Sequence, residues 1–348
     1  MTSALDPEQR SRLLGHKLAA LIDAFVTDHP DHAGMPDDRG GVASEGRSFA
    51  GGAGHVREDQ VWVLLDASEV GLGAALAWAH QQGGRLAHLV VDGDAAPRVA
   101  ALARQASYLA DVPQVWRVDG RSLVAVDAGP VPAPVHAPDN ALELVAPLRD
   151  AGLDVAIEHG VVTGEVLGLE VARVVIRDDG RAAIEVGVGR NDRELFGMMH
   201  GDLPTDEALR RVVDKVRLHR RADQPAHPLN RLAGERWLRS HLLTHPGRLD
   251  GWALEPIDGP VARLSLSDRL PAYAAGQDRD GGAVVLACSV GIDLEVVPAA
   301  ADARAGHDPG ARLVIAVPAR DAHAVTHRAA AALRDPAEVL PIEGDWRV

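Results

Sequence analysis

Apolar positions in this chain switch between two periods. From Gln60, VWVLLDA reads as a buried strand, GLGAALAWAHQQG as a helix, RLAHLVVDGD as a strand, AAPRVAALARQASYL as a helix and PQVWRVDG as a strand. Short helical connections of this kind predict parallel strands with right-handed crossovers. The same order returns near the C-terminus as AVVLACSVG, LEVVPAAADARAG, RLVIAVPAR, DAHAVTHRAAAALR and AEVLPIEG. The pattern therefore predicts an α/β protein in which two β-α-β-α-β units flank a mixed middle region with a β-hairpin and helices.

Punctuation along the chain sets the expected boundaries. Residues 1–59 hold an N-terminal helix, with Leu13, Leu14, Leu18, Leu21, Ile22 and Phe25 at helical spacing, followed by a Gly-, Asp- and Pro-rich loop over 28–55. The first α/β unit spans 60–129, and a Pro-rich linker, PVPAPVHAPDN, covers 130–140. The middle region occupies 141–250 and the second α/β unit 251–348. Within the middle, ALELVAPLRDAG reads as a helix, and GEVLGLEVARVVIRDDGRAAIEVGVGRNDRE as two apolar strands around a turn. That segment carries carboxylates at Glu165, Glu170 and Glu185. PTDEALRRVVDKVRLHRR and LAGERWLRSHLLTH are further helices, the first burying Leu209, Val212, Val213 and Val216.

This hairpin resembles the PD-(D/E)XK, or restriction-endonuclease-like, nuclease superfamily. In that family a helix leads into a strand with an acid, then a turn, then a strand with an acid, one intervening residue and usually a lysine. Here Glu143 lies on the helix, GLE ends at Glu170, IRDDGR makes the turn and IEVG presents Glu185, over about fifty residues. The resemblance implies Glu170 and Glu185 as Mg²⁺ ligands, with Glu143 as a supporting acid. Two hard carboxylates on adjacent strands can hold Mg²⁺, which polarises a phosphodiester and activates water. Gly187 stands where the family carries its lysine, so the resemblance extends to an inactive relative, with Arg190 or Lys215 as substitutes from a following segment. Asp66 and Asp278 are strand acids of the outer units without the rest of the pattern.

Charge qualifies this picture. The 348 residues carry a net charge of −14, which repels polyanions, so nucleic acid requires a local basic patch. The stretch 210–221 supplies one, and Arg210, Arg217 and Arg221 are its expected phosphate contacts. Of the 36 basic residues only Lys17 and Lys215 are lysines, neither within GxxxxGK[ST], which excludes a P-loop nucleotidase. A single Cys288 forms no internal disulfide and no multi-thiolate zinc site. The sequence contains no long apolar run and no basic start followed by an apolar core. A cytoplasmic protein without membrane contact is expected, and a homo-oligomer is the accompanying expectation.

Two other readings stand beside the nuclease-like one. A non-catalytic interaction scaffold would use the paired α/β units as surfaces. A serine hydrolase would use ACSVG, which nearly matches the nucleophile elbow GxSxG, with Ser289 as nucleophile and Asp321 and His323 following it. His323 with His327, and His241 with His245, stand four apart on helices. His29 and His32 lie beside Asp28 and Asp31; these three sets are the histidine candidates for metal.

Overall fold

The computed structural model describes residues 7–29, 47–49, 51–57, 60–66, 71–93, 96–189, 192–193, 204–221, 227–245, 249 and 251–344. Arg190 and His32 lie outside them. The chain forms two compact units, residues 1–131 with 328–336, and residues 132–327 with 337–348. The break at 131 falls inside the Pro-rich stretch. The middle region and the C-terminal strands belong to one unit. Among the described residues, no helix is long and apolar enough to cross a membrane.

The first unit opens with α1 (Pro7–Asp28), followed by β1 (Arg47–Phe49), β2 (Gly52–Arg57), β3 (Gln60–Asp66), α2 (Leu72–Gln81), β4 (Arg85–Asp92), α3 (Ala96–Ala106), β5 (Gln114–Asp119) and β6 (Ser122–Ala125). The strands form one sheet in the order β1 to β6, with β3, β4 and β5 parallel, as the helical connections predict. Leu18, Leu21, Ile22 and Phe25 of α1 pack on Trp62, Leu64 and Val90 of the sheet, whereas Leu13 of the expected face is exposed. Strands β1 and β2 correct the loop expected over 28–55 at its end, residues 47–49 and 52–55; residues 30–46 of it lie outside the described residues. A glycine of β2 makes room for an aromatic ring: a Cβ at Gly54 would lie 2.2 Å from Trp78, against which Phe49 also stacks.

In the second unit α4 (Asp139–Leu142) and α5 (Val145–Asp150) replace the single expected helix. Pro147 cannot donate to Glu143 and crowds its carbonyl, so the helix breaks between Leu142 and Val145. The expected hairpin is half of an antiparallel four-stranded meander of β7 (Asp154–Glu158), β8 (Val161–Val166), β9 (Leu169–Ile176) and β10 (Ala182–Val186). Its first two turns, His159-Gly160 and Leu167-Gly168, have positive φ at both residues, the twist that two-residue hairpins need. Next come α6 (Thr205–His219), α7 (Gly234–Thr244), β11 (Ala253–Ile257), β12 (Ala272–Gln277), β13 (Ala283–Cys288), α8 (Val296–His307), β14 (Arg312–Pro318), α9 (Ala324–Ala331) and β15 (Glu338–Ile342). Strands β11 to β15 form a second sheet in chain order, with β13, β14 and β15 parallel. The predicted face of α6 packs on the meander, and Trp237, Leu238 and Leu242 of α7 pack with the second sheet.

Two contacts lock the β8–β9 turn against α7. Arg220, fully buried after α6, donates to the carbonyls of Leu167, Leu229, Leu232 and Ala233 and lies over the Trp237 ring. The first of these bonds holds Leu167 in its left-handed conformation. Gly168 lies so close to α7 that a Cβ would stand 2.3 Å from the Arg236 backbone. Gly168→Ala therefore combines positive φ with a backbone clash and should lower stability by roughly 3 kcal/mol in chemical denaturation. Gly180, with φ +78° and open space around it, is the control; its alanine variant should lose only about 1 kcal/mol.

Candidate functional site

The meander places Glu165 and Glu170 directly opposite each other on β8 and β9, both almost fully buried. Like charges at such a pair repel, and burial denies them water, so each needs an internal cation. A register shift beside them decides where those cations come from. Gly164 pairs with Ala172 and Glu165 with Glu170, leaving Val171 unpaired as a bulge. In a regular strand Glu170 and Arg173 would face opposite sides; across the bulge they meet. Arg173 Nε and Nη2 bind the two Glu170 oxygens at 2.8 and 2.9 Å. These bonds, chiefly, raise Arg173 above its ordinary pKa.

Glu165 takes its partners from α7. Arg236 Nη1 stands 3.0 Å from Glu165 Oε1, too poorly aligned for a hydrogen bond, and Arg239 Nη2 lies 3.5 Å from Oε2. Both arginines also bind Glu158 at the end of β7. Burial works against the charged form of Glu158, but Arg239 and Arg236 outweigh it and hold its carboxyl at about 2. Burial likewise opposes the charge on Arg239, and Glu158 and Glu165 reverse the effect, so it stays protonated beyond the usual guanidinium range.

The two candidate metal ligands are drawn to one guanidinium. Arg193 Nη1 donates to Glu170 Oε1 at 2.7 Å, and its Nε stands 3.7 Å from Glu185 Oε2. Glu185 is half exposed and faces Arg173 across the strands. The position between these acids is thus filled by an arginine side chain. Glu143 is exposed at the end of α4, apart from this cluster. Among the described residues, no group of three or more His, Cys, Asp or Glu side chains could hold a metal ion. Glu170 already accepts from two guanidinium groups, so this donor set does not suit Mg²⁺.

Arg173, Arg193 and Arg236 line a cleft of about 490 Å³ together with Glu170, and its far wall is the loop carrying Arg263, Leu264 and Leu266. That loop is shaped by Asp268, whose carboxylate accepts from the backbone N–H groups of Leu264 and Ser265, while Arg263 donates to the carbonyls of Asp268 and Leu270. Burial, and then the nearby Arg236, lower the Arg263 pKa. Arginines dominate this cleft wall, although Arg173 and Arg193 pair with Glu170, Arg193 also stands near Glu185, and Arg236 pairs with Glu158 and Glu165. The signal in the sequence was thin: LAGERWLRSHLLTH reads as a helix, and nothing in it marks Arg236 and Arg239 as buried.

The basic stretch is arranged differently from its sequence reading. Arg210 pairs with Asp206 and Arg211 with Glu207, each at 2.6 Å along the helix, and Arg217 donates to the Gly152 carbonyl at 2.7 Å. Arg221 is exposed after the helix end, and its backbone carbonyl accepts from the Asn230 side-chain amide. Arg210 and Asp206 also border a hollow of about 700 Å³ among α5, β10 and α6, where they satisfy each other.

The elbow candidate is not assembled. Ser289 is buried and its Oγ lies 3.5 Å from Asp293, while Asp321 accepts from the Gly291 N–H at 2.7 Å. Among the described residues, no side-chain hydrogen bond joins His323 to Ser289 or Asp321. Burial pushes the neighbouring Cys288 thiol up to about 12, which leaves it unreactive. His241 and His245 stack face to face with ring centroids 4.6 Å apart, which directs their nitrogens poorly for shared chelation. Asp278 caps the turn before β13 and pairs with Arg312.

No family model, curated protein or solved structure matches this chain.

The depressed Glu158 carboxyl sets a pH signature. Its contribution to stability is complete above its ordinary value of 4.5 and is lost as pH falls to about 2, a change of about 3 kcal/mol. Urea unfolding at stepped pH should show this slope between 4.5 and 2. In Glu158→Gln the slope should flatten, and stability at neutral pH should drop by roughly 3 kcal/mol because two buried arginines lose a partner.

Proposed function

We propose that the second unit binds, without cutting it, a phosphate-bearing ligand of the kind nucleic acid presents. The observation that carries this reading is Arg193, whose guanidinium reaches both Glu170 and Glu185 where a nuclease of the resembled family would hold its metal. A guanidinium cannot lower the pKa of a bound water or expand its coordination, so the carboxylates orient arginines instead of activating water. Their product is the arginine wall of the cleft. The ion pairs on α6 and the net charge of −14 argue against a long phosphate backbone tracking over that helix, and favour engagement at the cleft.

The test is fluorescence anisotropy with a short single-stranded oligonucleotide, alongside a cleavage assay in Mg²⁺ and Mn²⁺. Binding should weaken as salt rises, fall about tenfold or more in Arg193→Gln, and survive Arg210→Gln. The oligonucleotide should remain intact. Cleavage that disappears in Glu170→Gln would overturn the reading in favour of an active nuclease, and absence of binding at low salt would remove nucleic acid as the ligand.

A further inference from the structure

We infer that Leu264 is a base contact, an apolar finger on the lip of the cleft that packs on the face of an unstacked nucleobase while the adjoining phosphate meets the arginines; this rests on the phosphate-binding reading above. Leu264 is 94% exposed, the most open large apolar side chain among the described residues, and it borders the cleft with Arg173, Arg193, Arg236 and Arg263. A lone exposed leucine on a surface is ordinary. Here the loop holds it out. Asp268 Oδ2 accepts from the backbone N–H groups of both Leu264 and Ser265, at 2.9 and 2.8 Å, and the Ser267 N–H donates to Ser265 Oγ at 3.2 Å. Arg263 closes the loop by donating to the carbonyls of Asp268 and Leu270. Leu266 turns the other way: it packs against the core of the meander, and its carbonyl accepts from the Ala233 N–H at 3.2 Å. With these bonds in place the loop cannot fold Leu264 inward, so a ligand would meet an apolar surface without having to order it.

The state of the arginines is the reason a second contact matters. Glu158, Glu165, Glu170 and Glu185 offset Arg173, Arg193 and Arg236, so a phosphate gains directed N–H groups at this wall but little net charge. Arg173 is the accessible one of these three, 33% exposed against 9% for Arg193 and 7% for Arg236. It holds Glu170 through Nε and Nη2, and its Nη1 makes no internal hydrogen bond. An anion with so little charge to draw on binds well only if the group attached to it adds apolar contact, and in a nucleotide that group is the base. A base offers its flat face to a side chain when no neighbour is stacked on it, as in a single strand or a free nucleotide; in a duplex a step has to be unstacked first. At about 490 Å³ the cleft is within the range of sites for ligands of nucleotide size. Val261, also exposed on this loop, lines a separate hollow with Glu158 and Tyr273, which leaves Leu264 as the finger at the cleft.

Fluorescence anisotropy on the full chain tests the contact with three labelled ligands: a short single strand, an abasic strand of the same length with its sugar-phosphate backbone intact, and the corresponding duplex. The single strand should bind about tenfold more tightly than either of the others. Leu264→Ser should cost about tenfold on the single strand and less than about twofold on the abasic one, and Leu264→Met should recover most of the loss. Val261→Ala should leave all three unchanged. Since Leu264 is exposed, thermal unfolding of its variants should match that of the parent chain. Displacement of the strand by a nucleoside 5′-monophosphate but not by inorganic phosphate, lost in Leu264→Ser, would support the same contact with a free nucleotide as its source. Equal loss on the single and abasic strands, or no loss on either, would overturn the base contact; Arg193→Gln weakening both would then leave the phosphate reading standing. If Leu264→Ser instead dissolves an assembly of the free protein or abolishes binding to anionic lipid vesicles, with no difference between the strands, Leu264 serves a protein or membrane contact and the inference falls. Failure of every strand to bind at low salt would overturn the inference and the reading beneath it.

Discussion

Two glutamates face each other across adjacent strands inside the second unit, and most of what is distinctive around them answers that placement. Glu165 and Glu170 cannot be hydrated where they stand, and burying one charge without a partner costs several kcal/mol. The bulge at Val171 brings Arg173 to one of them. The close approach allowed by Gly168 brings α7, with Arg236 and Arg239, to the other. Arg220 ties the intervening turn to the residues that enter α7. A hydrophobic pair at the same positions would need none of these devices and would pack as well or better. Retaining the acids makes sense if the oriented arginines they produce are what is used.

An arginine that occupies the space between carboxylates differs from a metal in a way that governs chemistry. It is covalently tethered, keeps its charge at every accessible pH, and its planar fork sets fixed donor directions. Metal-held sites exchange ligands and polarise water; a guanidinium held by Glu170 does neither. The frame of acids on neighbouring strands is thus compatible with two opposite electrostatic outcomes, decided by whether a lysine or a glycine stands two residues after Glu185 and by which side chain arrives from residue 193.

Much of the fold was legible in the chain because period and punctuation are local. The parallel strands β3, β4 and β5, and β13, β14 and β15, are continuous apolar runs separated by helical patterns, and the buried face of α6 follows its spacing. Strand β2 was hidden because its glycines look like loop residues, whereas Gly54 admits the Trp78 ring and Gly52 lies against Phe49. The extra strands of the meander were hidden because Leu167-Gly168 and His159-Gly160 are unusual choices for tight turns with positive φ. At the site, Glu170 and Glu185 were visible as acids on neighbouring strands. Their partners were not, since Arg173 reaches Glu170 only through a bulge, and Arg236 and Arg239 come from a helix whose burial no local pattern announces. In the basic run at 210–221, Arg210 and Arg211 are offset by Asp206 and Glu207 just before it, a pairing that follows from the four-residue spacing along the helix.

The spacing of the ion pairs along the chain also bears on how the second unit assembles. Glu170 finds Arg173 three residues away, so that contact can form within one hairpin. Glu158 and Glu165 depend on arginines 71 to 81 residues later. Until α7 arrives, the meander would have to bury two carboxylates unpaired, so it gains little by closing early. Non-local contacts of this kind slow folding and couple distant segments. The meander and the second sheet therefore have a reason to fold and open as one cooperative block, in which fraying of α7 would be felt at once in the strands that carry the cleft.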